Sequence, residues 1–185
     1  MLTQNQHTPY PRARMLRHPG PFNPVRIQSM RDQSGRHIRL LLEPGLSLHE
    51  AVVGALNESG VTSASMTILG GEFQQLQYCV APPNEHKKTL ISYSSPIDAG
   101  TAYMIFGNAT LGRDMEGAPL VHCHASICDS RGEVRGGHIV PGGSIIASQP
   151  IPVLVTALEG FELRQAFDEE TNIPMLKPSL EAGHE

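Results

Sequence analysis

Hydrophobic and polar residues alternate along most of this chain. From about residue 61 to residue 167, short alternating or wholly apolar stretches are separated by glycine, proline and asparagine. This pattern is typical of antiparallel strands joined by tight turns. We expect about eight or nine strands, one of them at residues 89–95, in a sheet that is curled or split in two.

A strand followed by a helix opens the regular part of the chain. In "GRHIRLLLEPG", residues 35–45, alternation places Ile38, Leu40 and Leu42 on one face of a strand. In "SLHEAVVGALNESG", residues 47–60, Ser47 and Glu50 have the spacing of a capping box and Gly60 suits the C-terminal end. This is the clearest helix, so the predicted fold class is α+β with a mostly antiparallel sheet.

The length of 185 residues suits one domain with a hydrophobic core. Residues 1–25 contain five prolines, which disfavour helix and sheet. We therefore divide the chain into a proline-rich basic arm at 1–25, one domain at 26–178 and a short tail at 179–185.

Charge is distributed unevenly, although the net charge is only −4. Residues 1–31 contain five arginines and no acidic residue, which leaves nine basic and eighteen acidic residues for the remainder. The arm is thus the candidate for contact with DNA, through Arg12, Arg14 and Arg17, while the acidic remainder opposes binding to phosphates.

The cysteine pattern and the hydropathy indicate the cellular setting. The three cysteines form no CxxC pair, and no apolar run approaches the ~18 residues of a membrane span. The chain also begins without the basic and apolar layout of a secretory signal. We expect a soluble, cytoplasmic protein.

Three of the nine histidines lie in "PLVHCHASICDSRGEVRGGHIVPGG". In a strand, His122 and His124 project from one face, about 6.6 Å apart. The sequence "DSRGE" predicts a three-residue hairpin loop, Ser130 to Gly132, and a loop of this length places His138 opposite His124. A bulge at Gly136–Gly137 would shift that register by one residue.

Three converging imidazoles suit Zn²⁺ or a similar divalent ion, with a fourth position open to water or a ligand. The alternative is that these histidines only brace the hairpin. Glu72, in "GGEF", is the candidate for acid–base chemistry beside such a metal, although a solvated strand end is the more common role for such a residue. The glycine pairs lack the spacing of nucleotide-binding loops.

The chain resembles the plants and prokaryotes conserved (PPC) domain family, in its stand-alone bacterial type. The resemblance covers residues 26–178 and rests on "EPG" before the helix, "ASMTILGG" after it, the histidine hairpin, and the closing "FELRQAFDEETNIPMLKP". It implies a curved antiparallel sheet, assembly as a homotrimer, and His122, His124 and His138 as the metal-binding histidines.

The function implied by this resemblance is that of a regulatory protein associated with DNA. In plants the domain is joined to AT-hooks, whereas "PRARMLRHPGP" lacks the Gly-Arg-Pro core that an AT-hook requires. The fold is also similar to that of acetolactate decarboxylase, which offers the alternative of a metal-dependent lyase or hydrolase acting on a small oxygenated substrate. A structural assembly module is the third possibility.

Overall fold

The computed structural model describes residues 16–26, 28–32, 35–86 and 88–180. Within these ranges it has one α-helix and ten strands, which agrees with the predicted α+β class. In chain order they are β1 (His37–Leu42), α1 (Leu48–Glu58), β2 (Ala64–Ile68), β3 (Gly71–Cys79), β4 (Ile97–Arg113), β5 (Pro119–Asp129), β6 (Val134–Ile139), β7 (Ile145–Ile146), β8 (Ile151–Ala157), β9 (Glu162–Asp168) and β10 (Ile173–Ser179).

The capping box predicted for α1 is confirmed. The Ser47 hydroxyl accepts a hydrogen bond from the Glu50 amide at 3.1 Å, and the Glu50 carboxylate accepts one from the Ser47 amide at 3.0 Å. Gly60 follows the helix with a φ of +67°, a conformation that glycine adopts without strain. The apolar side of α1 is buried in the core, and each fully buried leucine contributes about 1.5–3 kcal/mol of hydrophobic free energy.

The strands are ordered β1-β8-β2-β4-β5-β6-β3-β7. Strand β3 pairs with β6 on one side and with β4 on the other, so β4, β5, β6 and β3 form a closed ring of hydrogen-bonded strands. Bulges in β3, between Phe73 and Gln77, and in β4, between Met104 and Phe106, contribute to this bending. The sheet is therefore curved, as predicted.

The connection between β3 and β4 corrects one prediction. Residues 89–95 are not a strand; a single isolated bridge joins Pro83 and Ile91 in this segment. The alternating pattern there reflects an extended backbone, and an extended backbone forms a strand only beside a partner along its length. We call residues 80–96 the β3–β4 loop.

The segment at residues 18–26, which we call the N-terminal anchor, lies against the turn between β9 and β10. The Glu170 carboxylate accepts a hydrogen bond from the Asn23 amide at 2.9 Å, contacts His18, and lies 3.2 Å from Arg26 Nε. These hydrogen bonds, chiefly the one from Asn23, lower the pKa of Glu170. A Cβ at Gly20 would come within 1.7 Å of the Glu169 carbonyl oxygen, so glycine is required for this close approach.

No helix in the described ranges has the length and apolar character needed to cross a membrane.

Candidate metal centre

The β5–β6 hairpin has the loop that its sequence predicts. The Asp129 amide donates a hydrogen bond to the Glu133 carbonyl at 3.0 Å, and the Gly132 amide donates one to the Asp129 carbonyl at 2.9 Å. Gly132 has a φ of +79°, the left-handed conformation that this loop requires. The Asp129 carboxylate accepts further hydrogen bonds from the amides of Glu133 and Arg131, which lower its pKa.

This loop aligns the histidines. His124 lies directly opposite His138, and the pairing continues without a bulge through Gly136 and Gly137, so the predicted register is confirmed. Strand β6 is held between β5 and β3 at this point. A Cβ at Gly136 would lie 2.5 Å from the Ala125 carbonyl oxygen, and one at Gly137 would lie 2.4 Å from that of Cys79. The glycine pair thus allows β6 to approach both neighbours closely enough to position His138.

The three imidazoles converge on one point at the surface of the sheet. The ligand atoms of His122, His124 and His138 all lie within 4.8 Å of one another, and the Nε2 atoms of His122 and His124 are 3.2 Å apart. The ring centroids are separated by 4.9 Å, 4.9 Å and 5.3 Å. His122 and His138 are half-buried, whereas His124 is exposed, so the cluster opens to solvent on one side.

Partial burial favours the neutral form of His122 and His138. Desolvation, reinforced by His122 and His124, lowers the pKa of His138 to about 4. Desolvation also lowers the pKa of His122, and the neighbouring His124 adds to that effect. A neutral imidazole has a free lone pair, which is the form that binds a metal ion.

The donor set fits a tetrahedral divalent metal. Zn–N bonds of about 2.0–2.1 Å require neighbouring ligand nitrogens about 3.3 Å apart, close to the separation seen between His122 and His124. In addition, Nδ1 of His138 is buried and has no hydrogen-bond partner in the described part of the chain. A buried polar atom without a partner is uncommon, because its desolvation is not compensated. A metal ion coordinated by Nδ1 would supply the partner that this atom lacks.

The structure separates Glu72 from this cluster. Cys79 lies opposite His138 in the neighbouring strand, and Glu72 precedes Cys79 by seven residues on β3, which is about 23 Å at the rise of a strand. Glu72 is exposed and pairs with Tyr103 on β4. In the described part of the chain, Glu72 is thus too far along β3 to reach a metal bound by the histidines.

The cysteines near the cluster lie outside the donor set. Cys123 projects to the opposite face, into the core, where burial raises the pKa of its thiol to about 12. The half-buried Cys128 has its sulfur 3.8 Å from the Asp129 carbonyl oxygen. Among the described residues, the group whose ligand atoms converge contains three histidines and no cysteine, so Cys79 is also outside it.

Of the three arginines proposed for DNA contact, the structure describes Arg17. Arg12 and Arg14 lie outside the described residues. Arg17 is exposed and immediately precedes the N-terminal anchor. Within the anchor, Arg26 forms salt bridges with Asp168 and Glu170.

Tyr93, which the sequence pattern did not indicate as a site residue, lies beside the cluster. Its ring centroid is 5.0 Å from that of His138, with the two planes tilted by 51°. Desolvation, followed by proximity to Cys79, raises the pKa of its phenol. Because Tyr93 belongs to a segment interpreted as a strand, no local signal indicated that it would reach this site.

Comparison with known proteins agrees with this architecture. The model of the Plants and Prokaryotes Conserved (PCC) domain, the family abbreviated PPC above, matches residues 30–159. No curated protein matches the chain.

Several solved structures share the fold. A metal-containing protein from Archaeoglobus fulgidus has 20% identity and a TM-score of 0.61, with 82% of this chain and 99% of that one covered. A putative DNA-binding protein from Ralstonia eutropha JMP134 has 18% identity and a TM-score of 0.60, covering 75% and 89%. A plant- and prokaryote-conserved protein from Pyrococcus horikoshii has 18% identity and a TM-score of 0.56, covering 80% and 97%.

Proposed function

This chain belongs to the Plants and Prokaryotes Conserved (PCC) domain family, and we propose that it binds one divalent metal ion through His122, His124 and His138. The observation that carries this proposal is the convergence of three histidine ligand atoms within 4.8 Å on the β5–β6 hairpin. We take Zn²⁺ as the ion, because tetrahedral sites with three neutral imidazoles and one open position are typical of zinc. When bound, it would supply a Lewis-acidic position open to a fourth ligand.

Elemental analysis tests this proposal. Protein purified without a histidine tag and dialysed against zinc should contain about one metal ion per chain, because the cluster can hold one tetrahedral ion. Protein that remains metal-free after this treatment would overturn the proposal.

The role proposed for the metal-bound protein is that of a regulatory module associated with DNA. Support comes from the similar proteins described as putative DNA-binding proteins, among them those of Ralstonia eutropha and Bacteroides thetaiotaomicron. The N-terminal anchor adds a physical argument. Residues 18–26 are held against Glu170, so the basic arm that ends at Arg17 is attached to the domain at a defined place. Arg12, Arg14 and Arg17 would then contact phosphates.

Fluorescence anisotropy on mixed-sequence duplexes at low salt tests the DNA contact. The full chain should bind, and Arg12→Gln, Arg14→Gln and Arg17→Gln together should reduce the magnitude of the slope of log affinity against log salt by about 3. A matched control, Arg36→Gln, removes an arginine that pairs with Glu159 on the body of the domain. Unchanged binding by the triple variant would contradict contact through the arm.

Self-association into a homotrimer is part of the same proposal. The outward face of the paired strands β1 and β8 exposes large apolar side chains, including Leu41 at 53% and Leu154 at 46% of their surface. Exposed apolar patches of this kind are typical of protein interfaces. Sedimentation equilibrium measures the mass of the assembly. A monomer at micromolar protein concentration would contradict the proposed homotrimer.

An enzymatic role has weaker support. A lyase or hydrolase acting on a small oxygenated substrate needs a group that moves a proton. The carboxylate predicted for that role, Glu72, lies about 23 Å along β3 from Cys79, the neighbour of His138. Metal binding in a regulatory or assembly role requires no such group.

A further inference from the structure

The β3–β4 loop, residues 80–96, lies beside the candidate metal centre and is long for a connection between adjacent strands. Loops of this length in compact domains commonly have a binding or catalytic role. Hydrogen bonds close its base: the Ser94 amide donates to the Val80 carbonyl at 2.9 Å, and the Val80 amide donates to the Ser94 hydroxyl at 3.1 Å. Tyr93 is therefore held next to a fixed point of the backbone.

A second set of contacts holds the outer part of this loop. The Leu90 amide donates a hydrogen bond to the Thr171 carbonyl at 2.8 Å, and the Asn172 side chain donates one to the Lys88 carbonyl at 2.9 Å. Asn172 has a φ of 54°, in the left-handed region that asparagine tolerates better than most residues. The loop is thus tied both at its base and to the β9–β10 turn.

Tyr93 has the environment of a residue that meets a ligand. Its ring contacts His138, yet 51% of its surface is exposed. Within the described residues, its hydroxyl has no hydrogen-bond partner. A phenol has an ordinary pKa of about 10 and is a hydrogen-bond donor at neutral pH.

The surroundings of the cluster favour an oxygen-bearing ligand. Asn108 and Thr110 on β4 lie opposite His124 and His122, and these pairs project from the same face of the sheet. Polar side chains therefore border the histidines on one side, and Tyr93 borders them on the other. Amide, hydroxyl and phenol groups together suit a small oxyanion such as a carboxylate.

We propose that Tyr93 donates a hydrogen bond to a small oxyanion bound at the open position of the metal. This inference rests on the metal site proposed above. It assigns to Tyr93, rather than to Glu72, the polar contact that a fourth ligand would make with the protein.

Titration of the Co²⁺-loaded full chain with acetate tests this proposal, since the visible absorbance of Co²⁺ reports both metal binding and the arrival of a fourth ligand. Tyr93→Phe should bind Co²⁺ within about threefold of the wild-type affinity, because all three imidazoles remain. It should bind acetate about tenfold more weakly, the effect expected from the loss of one charge-assisted hydrogen bond.

Tyr103→Phe is the matched control. Tyr103 is exposed to 52%, almost the same extent as Tyr93, but lies opposite Cys128, four residues from His124 along β5. This variant should bind Co²⁺ and acetate like the wild type.

Each other result overturns the inference in a distinguishable way. Unchanged acetate affinity in Tyr93→Phe refutes the hydrogen bond while leaving the metal site intact. Weaker binding of Co²⁺ itself in this variant means that Tyr93 acts by supporting His138 rather than by contacting the ligand. Failure of acetate to perturb wild-type Co²⁺ refutes the oxyanion, and failure of the wild type to bind Co²⁺ removes the proposed function together with this inference.

Discussion

His122→Ala combined with His124→Ala should lose its metal completely under conditions in which the wild type holds about one ion per chain. Both side chains project from β5, and their Nε2 atoms are 3.2 Å apart, so the variant leaves His138 as the sole ligand in the cluster. Removing a group that merely orients a metal-binding side chain typically lowers metal affinity by 10–100-fold. We therefore expect the loss of two direct ligands to exceed about 1,000-fold.

A thermal-shift measurement provides a second readout of the same change. Excess Zn²⁺ should raise the melting temperature of the wild type, since a ligand that binds only the folded state stabilises it, and should leave the double variant unchanged. His37→Ala with His86→Ala is the matched control, because these two histidines are exposed and outside the cluster. Retention of stoichiometric metal by the His122/His124 variant would show that zinc binds elsewhere.

Gly137→Ala should weaken both the fold and the metal site. A Cβ at this position would lie 2.4 Å from the Cys79 carbonyl oxygen and 3.2 Å from the ring of Tyr78, so β6 and β3 must move apart. Because the obstacle is backbone, a side-chain rotation cannot relieve the contact. Overpacking of this kind typically lowers the free energy of unfolding by about 1–3 kcal/mol.

The metal-dependent part of this prediction follows from the register. Gly137 directly precedes His138, so displacement of β6 moves the third ligand away from His122 and His124. Urea denaturation of the metal-free protein and a zinc competition titration measure the two effects.

Gly142→Ala is the control for Gly137→Ala. A Cβ at Gly142 meets no atom within 4 Å, and its φ lies outside the left-handed region, so this change should alter stability by less than about 0.5 kcal/mol. Equal stability and zinc affinity in Gly137→Ala and the wild type would contradict the tight packing of β6 against β3.

The features that local patterns predicted correctly depend on few residues. The capping box needs only Ser47 and Glu50, three positions apart, and the hairpin loop needs only a glycine at position 132 that adopts a positive φ. Once that loop length is known, the pairing of His124 with His138 follows, because antiparallel partners are counted outward from the turn.

The features that the sequence did not indicate depend on contacts between distant segments. The extended residues 89–95 form a loop rather than a strand, since no neighbouring strand pairs along them. The N-terminal anchor joins His18 to Glu170, which are separated by 152 positions in the chain. Such pairings are decided by the free energy of the whole packed domain, to which a short sequence pattern contributes little.

The candidate site combines both kinds of feature. Spacing within one hairpin was enough to bring His122, His124 and His138 to one face, because strand alternation and loop length are local properties. The closure of β3 onto β6, which places Cys79 beside His138 and leaves Glu72 far along the strand, was decided by the folding of the sheet. The position of Tyr93 was also decided by the tertiary fold, since hydrogen bonds to the distant β9–β10 turn help to hold its loop in place.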